Sequence, residues 1–230
     1  VPSVGDGMPP NVEAVAARRP DLVVLYRSGL NVEAAEQFAR LGIAAVLLDL
    51  NRLEDLGPAT RVLGRLTGRE AAADSLATRL DGFAAAVAPP PAVSLVFVVW
   101  DNPPMVIGAG SYLDRLAALA GARNVFHDVA APSAQVSLEV IAQRDPDLVA
   151  VLSETAAPPA FAARREWRAI RAVREARFLH LRGSLFGRPG PRALEAVREF
   201  QRLLDSVNLA TRFPDRVLLL ADGLPKVARQ

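Results

Sequence analysis

Two aromatic rings stand where an apolar run gives way to polar loop. Tyr26 ends the run Leu22–Tyr26 ahead of Arg27-Ser28-Gly29, and Trp100 follows the run 93–99 ahead of Asp101-Asn102-Pro103-Pro104. Open α/β sheets place their binding crevice at the carboxyl ends of strands. An indole or phenol there offers a broad apolar face with one polar handle. The chemistry this suggests is capture of a ligand between two rings; the alternative is that either ring packs into an interface. Groups for bond-breaking chemistry are sparse. The chain has no cysteine, which excludes thiol catalysis, disulfides and cysteine-based zinc sites. Of its two histidines, His127 has only Asp128 beside it and His180 lies inside the apolar run 178–181, so both read as structural. No Ser-His-Asp spacing or nucleophile elbow is present, and no catalytic or metal-ligating residue is assigned. Gly108-Ala109-Gly110 sits between a strand and a helix, where a dinucleotide fingerprint would, but Leu113 occupies the third glycine position. These glycines read instead as a tight entry into the helix. No resident cofactor is expected.

The elements that position these residues come twice. Residues 11–26 (NVEAVAARRPDLVVLY) and 137–152 (SLEVIAQRDPDLVAVL) match without a gap at an offset of 126 positions, aligning Glu13 with Glu139, Arg18 with Arg144, Pro20 with Pro146 and Asp21 with Asp147. Each copy reads as a short helix, a Pro-Asp turn and an apolar strand, followed by a second helix and strand. A long-period repeat of this kind means two similar lobes, and ligands favour the interface between lobes. Helix 31–41 and strand 43–48 complete the first βαβ unit, with Gly42 as the helix stop. Residues 53–87 read as one long connector helix, with a break marked at Gly68, and Pro89-Pro90-Pro91 ends it. The second lobe reads as strand 93–99, a loop over 100–110, helix 111–120 capped by Ser111, then helix 137–143, strand 147–152, helix 164–174, strand 177–181 and helix 191–206. The expected organisation is a first lobe over 1–52, a connector over 53–90, a second lobe over 91–206 and an extension over 207–230 with a strand-like run at 217–220.

Composition agrees with a folded α/β chain. Just over half of the 230 residues are apolar (51%), enough for a sizeable core. Net charge is +2, and the arginines are scattered among acids rather than clustered, so nucleic acid is not an expected partner. No apolar run reaches the ~20 residues that span a bilayer. Glu13 and Glu139 each fall in the first turn of a helix, where acid complements the helix dipole. The functional alternative is an exposed carboxylate that meets a partner's arginine.

These stretches resemble the substrate-binding proteins of bacterial ABC importers, in the class for vitamin B12, haem and iron–siderophore uptake. They are most similar to its vitamin B12-binding branch. The resemblance is carried, in order, by NVEAVAARRPDLVVLY, ARLGIAAVLLDL, Asn102-Pro103-Pro104, GAGSYLDRLAALAGARNVF, APSAQVSLEVIAQRDPDLVAV and FGRPGPRAL, and covers about Val1 to Asp205. It implies two Rossmann-like lobes with mainly parallel sheets joined by one long helix, the first lobe lacking the N-terminal strand and helix of its relatives. It implies an extracytoplasmic protein, periplasmic and brought to the membrane through its transporter, that holds a corrinoid, haem or ferric siderophore between the lobes. Tyr26, Trp100, Asn102, Met105, Gln135 and Phe186 fall at its ligand-facing positions, and Glu13 at the first of two permease-docking glutamates. At the second, Gly187 stands, with Glu195 as a possible substitute. Ser133 and Leu185 replace aromatic residues, which implies a smaller flat ligand or a looser corrinoid site. The competing classes are a sensor that kept the lobes without transport, and an enzyme on the same two-lobed scaffold.

Overall fold

The computed structural model describes residues 3–4 and 10–212, with side chains as far as Val207, and the backbone of Val217–Leu219 and Pro225–Val227. The first lobe begins with α1 (Val12–Ala16), whose N-cap Asn11 accepts a hydrogen bond from the Ala14 N–H at 2.9 Å. Next come β1 (Leu22–Tyr26), α2 (Gly29–Arg40) and β2 (Ala44–Leu48). Ser28 caps α2, which buries Asn31, Ala34 and Phe38, the 3–4 spacing of a single helix face. β1 and β2 pair in parallel, with Leu22 opposite Ala44 and Tyr26 opposite Leu48.

The connector differs from the single helix expected over residues 53–87. A 3-10 turn at Leu53–Asp55 leads into α3 (Leu56–Thr67), and α4 (Glu70–Ala84) then runs back along it. Gly68 makes the reversal with a left-handed φ of 65°. Two more glycines let the helices touch. A Cβ on Gly64 would lie 2.2 Å from the Ala73 Cβ, and one on Gly57 would lie 1.7 Å from the Asp81 carboxylate. Arg61, between them, bonds Asp81 at 2.8 Å. Helical periodicity continues through the turn, so it marks Gly68 as a break without showing that the chain doubles back.

The second lobe contains β3 (Val93–Asp101), β4 (Pro104–Ile107), α5 (Tyr112–Ala120), β5 (Ala122–Asn124), β6 (Ser133–Gln135), α6 (Leu138–Arg144) and β7 (Leu148–Leu152). Two 3-10 turns follow, at Ala160–Ala163 and Glu166–Ala169, then α7 (Arg171–Arg174), β8 (Phe178–Leu181), α8 (Gly183–Phe186) and α9 (Ala193–Arg212). Its six-stranded sheet has the order β6-β4-β3-β7-β8, with β5 also on β3. β3 is parallel to β5 and β7, and β7 to β8; β4 folds back antiparallel. This is an α/β fold with a mainly parallel sheet. The segment 100–110, expected as loop, holds β4, whose proline is tolerated as the first residue of the strand. The expected helix over 164–174 is helical in its last turn and 3-10 before it.

Alternation along the strands divides the core. Leu95, Phe97, Leu148, Ala150, Leu179 and Leu181 face α5, α9 and the connector residues Leu53, Leu56 and Leu80. Val96, Val98, Val149 and Val151 face Phe161, Trp167 and Ile170. The repeat also persists in the backbone. Asn11 and Ser137 cap equivalent helices, and Arg19 and Asp145, again 126 apart, both take positive φ, at 48° and 40°. α9 runs past the helix end expected at 206 and into the extension as far as Arg212. The strand-like run expected at 217–220 corresponds to β9 (Val217–Leu219), paired antiparallel with β10 (Pro225–Val227), and residues 213–216, 220–224 and 228–230 lie outside the described residues.

Candidate functional site

The β3–β4 hairpin brings three of the expected ligand residues into line. Trp100 lies opposite Met105, and Met105 lies opposite Gln135 on β6. The register of β3 shifts between Val98 and Trp100, and the backbone pairing makes the three residues neighbours in a row across the β3, β4 and β6 end of the sheet. Trp100 is 61% exposed, and its Nε1–H donates to the carbonyl of Asn102 at 2.8 Å. Asn102 is exposed in the hairpin turn and serves this row through its backbone.

Tyr26 ends β1 with its ring 41% exposed. Its hydroxyl is hydrogen-bonded to the side-chain oxygen of Asn51, and its carbonyl accepts from the Asn31 Nδ2 at 2.6 Å. The Asn51 carbonyl accepts from the Tyr112 N–H at 2.6 Å, which ties the end of the first lobe to the start of α5. Asn31 and Asn51 were not singled out from the sequence. Asn51 follows the C-terminal end of β2, so the strand-end rule that selected Tyr26 would have found it.

Phe186 is a correction. Its ring is 1% exposed and packs edge-on against Phe200, with centroids 5.9 Å apart. α8 turns Leu185 and Phe186 together into the core beneath α9, so neither reaches the row. On the other side of Trp100, between the ends of β3 and β7, lies a depression of about 330 Å³, lined by Val98, Trp100, Leu152, Ser153, Ala157 and Phe161 among others. Tyr26 does not line it. Arg164 crosses to Asp101 at 2.6 Å beside it.

The remaining chemistry-bearing residues have structural surroundings. His127 Nδ1 is 2.8 Å from the buried carboxylate of Asp114, which also accepts from Asn124 at 2.9 Å. Half-buried His180 has its basicity lowered by burial. Gly108 and Gly110 let their loop lie against the 129–132 backbone: a Cβ on Gly108 would sit 2.3 Å from the Ala131 carbonyl oxygen. Among the described residues no three His, Asp or Glu side chains converge to hold a metal ion.

The family model described as periplasmic binding protein matches residues 1–185 of this chain. The chain belongs to the periplasmic binding protein family. A vitamin B12-binding protein of Salmonella typhimurium is 28% identical to it over 202 residues, covering 86% of this chain and 74% of that one. Among solved structures, an ABC transporter substrate-binding protein from Listeria monocytogenes superposes with a TM-score of 0.71 at 22% identity, covering 88% of this chain and 83% of that one. The periplasmic vitamin B12-binding protein of Vibrio cholerae superposes with a TM-score of 0.63 at 20% identity, covering 86% and 79%. These structures share the fold. Among the described residues of this periplasmic binding protein, no helix is long and apolar enough to cross a membrane.

Its candidate docking glutamates differ in how committed they are. Glu13 is exposed on α1, makes no ion pair among the described residues, and lines a shallow groove with Leu30, Glu33 and Gln37. Glu139 is tied to its own cap: the Ser137 hydroxyl and its own backbone N–H hold its carboxyl below the usual range. Glu195 is gripped by both arms of Arg192, at 2.8 and 2.7 Å. Gly187 closes α8, where a Cβ would lie 2.6 Å from the Gly183 carbonyl oxygen, so local packing opposes a glutamate there.

Proposed function

We propose that this periplasmic binding protein captures a corrinoid outside the cytoplasm and delivers it to the permease of an ABC importer. One observation carries the ligand part. Both exposed rings have their polar handle already satisfied by the protein, Tyr26 through Asn51 and Trp100 through the Asn102 carbonyl. Covering them with a flat ligand therefore strands no donor, and it removes apolar ring surface from water. The Met105–Gln135 continuation of the row adds a polarizable thioether and an amide that can bond a ligand's edge. The similarity to vitamin B12-binding relatives across most of the chain supports a corrinoid over other flat ligands. Binding energy alone does the work, and no covalent step is involved. Glu13, which makes no ion pair among the described residues, is the carboxylate offered to the permease.

Calorimetric titration with cyanocobalamin tests this, with haem and a ferric siderophore in parallel. A saturable one-to-one corrinoid isotherm is expected. Saturation by haem or siderophore instead would overturn the corrinoid assignment while keeping a capture role. Silence with all three would remove the capture role. Glu13→Ala should leave the isotherm unchanged and weaken pull-down of the bound protein by permease vesicles; equal pull-down would return Glu13 to helix capping.

A further inference from the structure

Charge is laid out differently on the two lobes. On the first, Glu33 lies near the start of α2, just past the carboxyl end of β1, and shares a groove with Glu13 of α1. Both are exposed, and neither makes an ion pair among the described residues. On the second lobe the corresponding end carries arginine. α8 starts two residues after β8 ends and leads through a short loop into α9, so Arg182, Arg188, Arg192, Arg198 and Arg202 gather between the carboxyl end of β8 and the first half of α9. All five are exposed. Their neighbouring acids are already engaged. Glu199 draws Arg182 to 3.7 Å and Arg202 to 2.8 Å, and Glu195 holds Arg192 at 2.7 Å. These two glutamates stand one helical turn apart, so the three arginines they hold share one side of α9. Glu154, at the edge of the group, accepts from the Ser184 N–H at 2.8 Å, and Asp205 lies nearly a turn beyond Arg202. Arg198, between the two glutamates in sequence, and Arg188, in the α8–α9 loop, make no ion pair or side-chain hydrogen bond among the described residues.

A single exposed arginine is unremarkable, but several on one face set up a local field that attracts a carboxylate-bearing surface and repels a basic one. The guanidinium fork also matches a carboxylate with two parallel hydrogen bonds. We infer that the second lobe meets the transporter through this arginine face, and that the surface it fits is an acidic patch on the permease, opposite in charge to the patch that Glu13 and Glu33 fit. The inference rests on the reading that this protein delivers its ligand to a permease, and it assigns the second lobe's share of that contact. Opposite charge on the two lobes also fixes orientation, because docking the wrong way round would set like charges together.

The test is capture of the protein by vesicles of neutral phosphatidylcholine that carry the importer's permease. The double variant Arg188→Glu/Arg198→Glu should be captured about tenfold less well or worse, with an unfolding midpoint matching the parent's. Arg65→Glu/Arg79→Glu makes the same change of net charge on exposed positions of α3 and α4, and should be captured like the parent. Raising the salt should weaken the parent more than the Arg188→Glu/Arg198→Glu variant, which has lost the attraction that salt screens. Equal loss in the two double variants would reduce the effect to net charge and overturn the inference. Capture of the parent by empty vesicles containing phosphatidylglycerol, lost in the Arg188→Glu/Arg198→Glu variant, would overturn it in favour of lipid headgroups. Loss of capture in Glu13→Ala alone, with the arginine variant unaffected, would overturn it and leave delivery to a permease standing. A parent that permease vesicles do not capture would overturn both.

Discussion

β1 and β7 are one strand by sequence and two by environment. Leu148, Val149, Ala150 and Val151 are 1%, 0%, 1% and 6% exposed, whereas their counterparts Leu22, Val23 and Leu25 are half-buried and Val24 is 45% exposed. Neighbours make the difference. β7 lies between β3 and β8 with packed side chains on both faces, and β1 pairs with β2 alone among the described residues. The polar residues of the repeat follow suit. Asp147 accepts from the Ser94 N–H at 3.0 Å and hydroxyl at 2.6 Å and pairs with Arg171 at 3.2 Å. Arg144 reaches the Val125 carbonyl and Asp128 and stacks 4.3 Å over Phe126. Asp21 and Arg18 make none of these contacts among the described residues. An identical motif therefore encodes a strand and a turn, and burial comes from what lies beside them.

The sharpest way to break this comparison is to truncate the same residue in each lobe. Leu148→Ala should cost about 2–4 kcal/mol, as fully buried leucines do, and Leu22→Ala about 1 kcal/mol or less. Equal shifts in the urea midpoint would show that the lobes are packed alike. The two exposed rings, one per lobe, extend the comparison to the proposed ligand. Trp100→Ala should weaken corrinoid affinity by about 1–3 kcal/mol, the scale of burying a large ring. Tyr26→Ala should match it if the ligand spans both lobes, and an effect confined to Trp100 would place the ligand on the second lobe alone.

Asp147→Asn should cost about 1–2 kcal/mol through lost charge-assisted bonds, and Asp21→Asn about 0.5 kcal/mol or less. Burial by itself would raise the Asp147 carboxyl, but the Ser94 bonds and Arg171 outweigh it and hold the group below its usual value. A carboxyl depressed in the folded state stabilises it above the unfolded pKa and ceases to as pH falls through the folded one. The gap between parent and Asp147→Asn in unfolding midpoint should thus stay constant from pH 7 to about 4 and close below that. A gap that persists at lower pH would trace the loss to shape rather than charge.

The legible parts of the sequence were those decided locally. The bounds of β1, the Ser111 cap and the Gly121 stop follow from side-chain period and turn chemistry, and the structure places them as read. Trp100, Met105 and Gln135 could be named individually, but their alignment depends on the register of β4 and β6, which no local pattern specifies. β4 itself was hidden by Pro103-Pro104, a loop signal that here only starts the strand. Phe186 looked like a loop aromatic because the inward turn of α8 depends on α9, far along the chain. The reversal at Gly68 was missed because α3 and α4 share one helical period.

The smallest effect concerns the one position where the lobes diverge at the strand end, Tyr26 against Leu152. Tyr26→Phe removes the hydroxyl that meets Asn51 and keeps the ring. Asn51 holds the second lobe through its backbone carbonyl, which the substitution does not touch, so the link to Tyr112 should survive. One exposed hydrogen bond is worth about 0.5–1 kcal/mol net, and stability should fall by no more than that. Corrinoid affinity should change less than twofold if the proposed contact is with the ring face, because the hydroxyl is turned to Asn51. A loss of tenfold or more would mean that the Tyr26–Asn51 pair orients the ring, and the first lobe's part in binding would then reside in a hydrogen-bonded pair for which Leu152 has no equivalent.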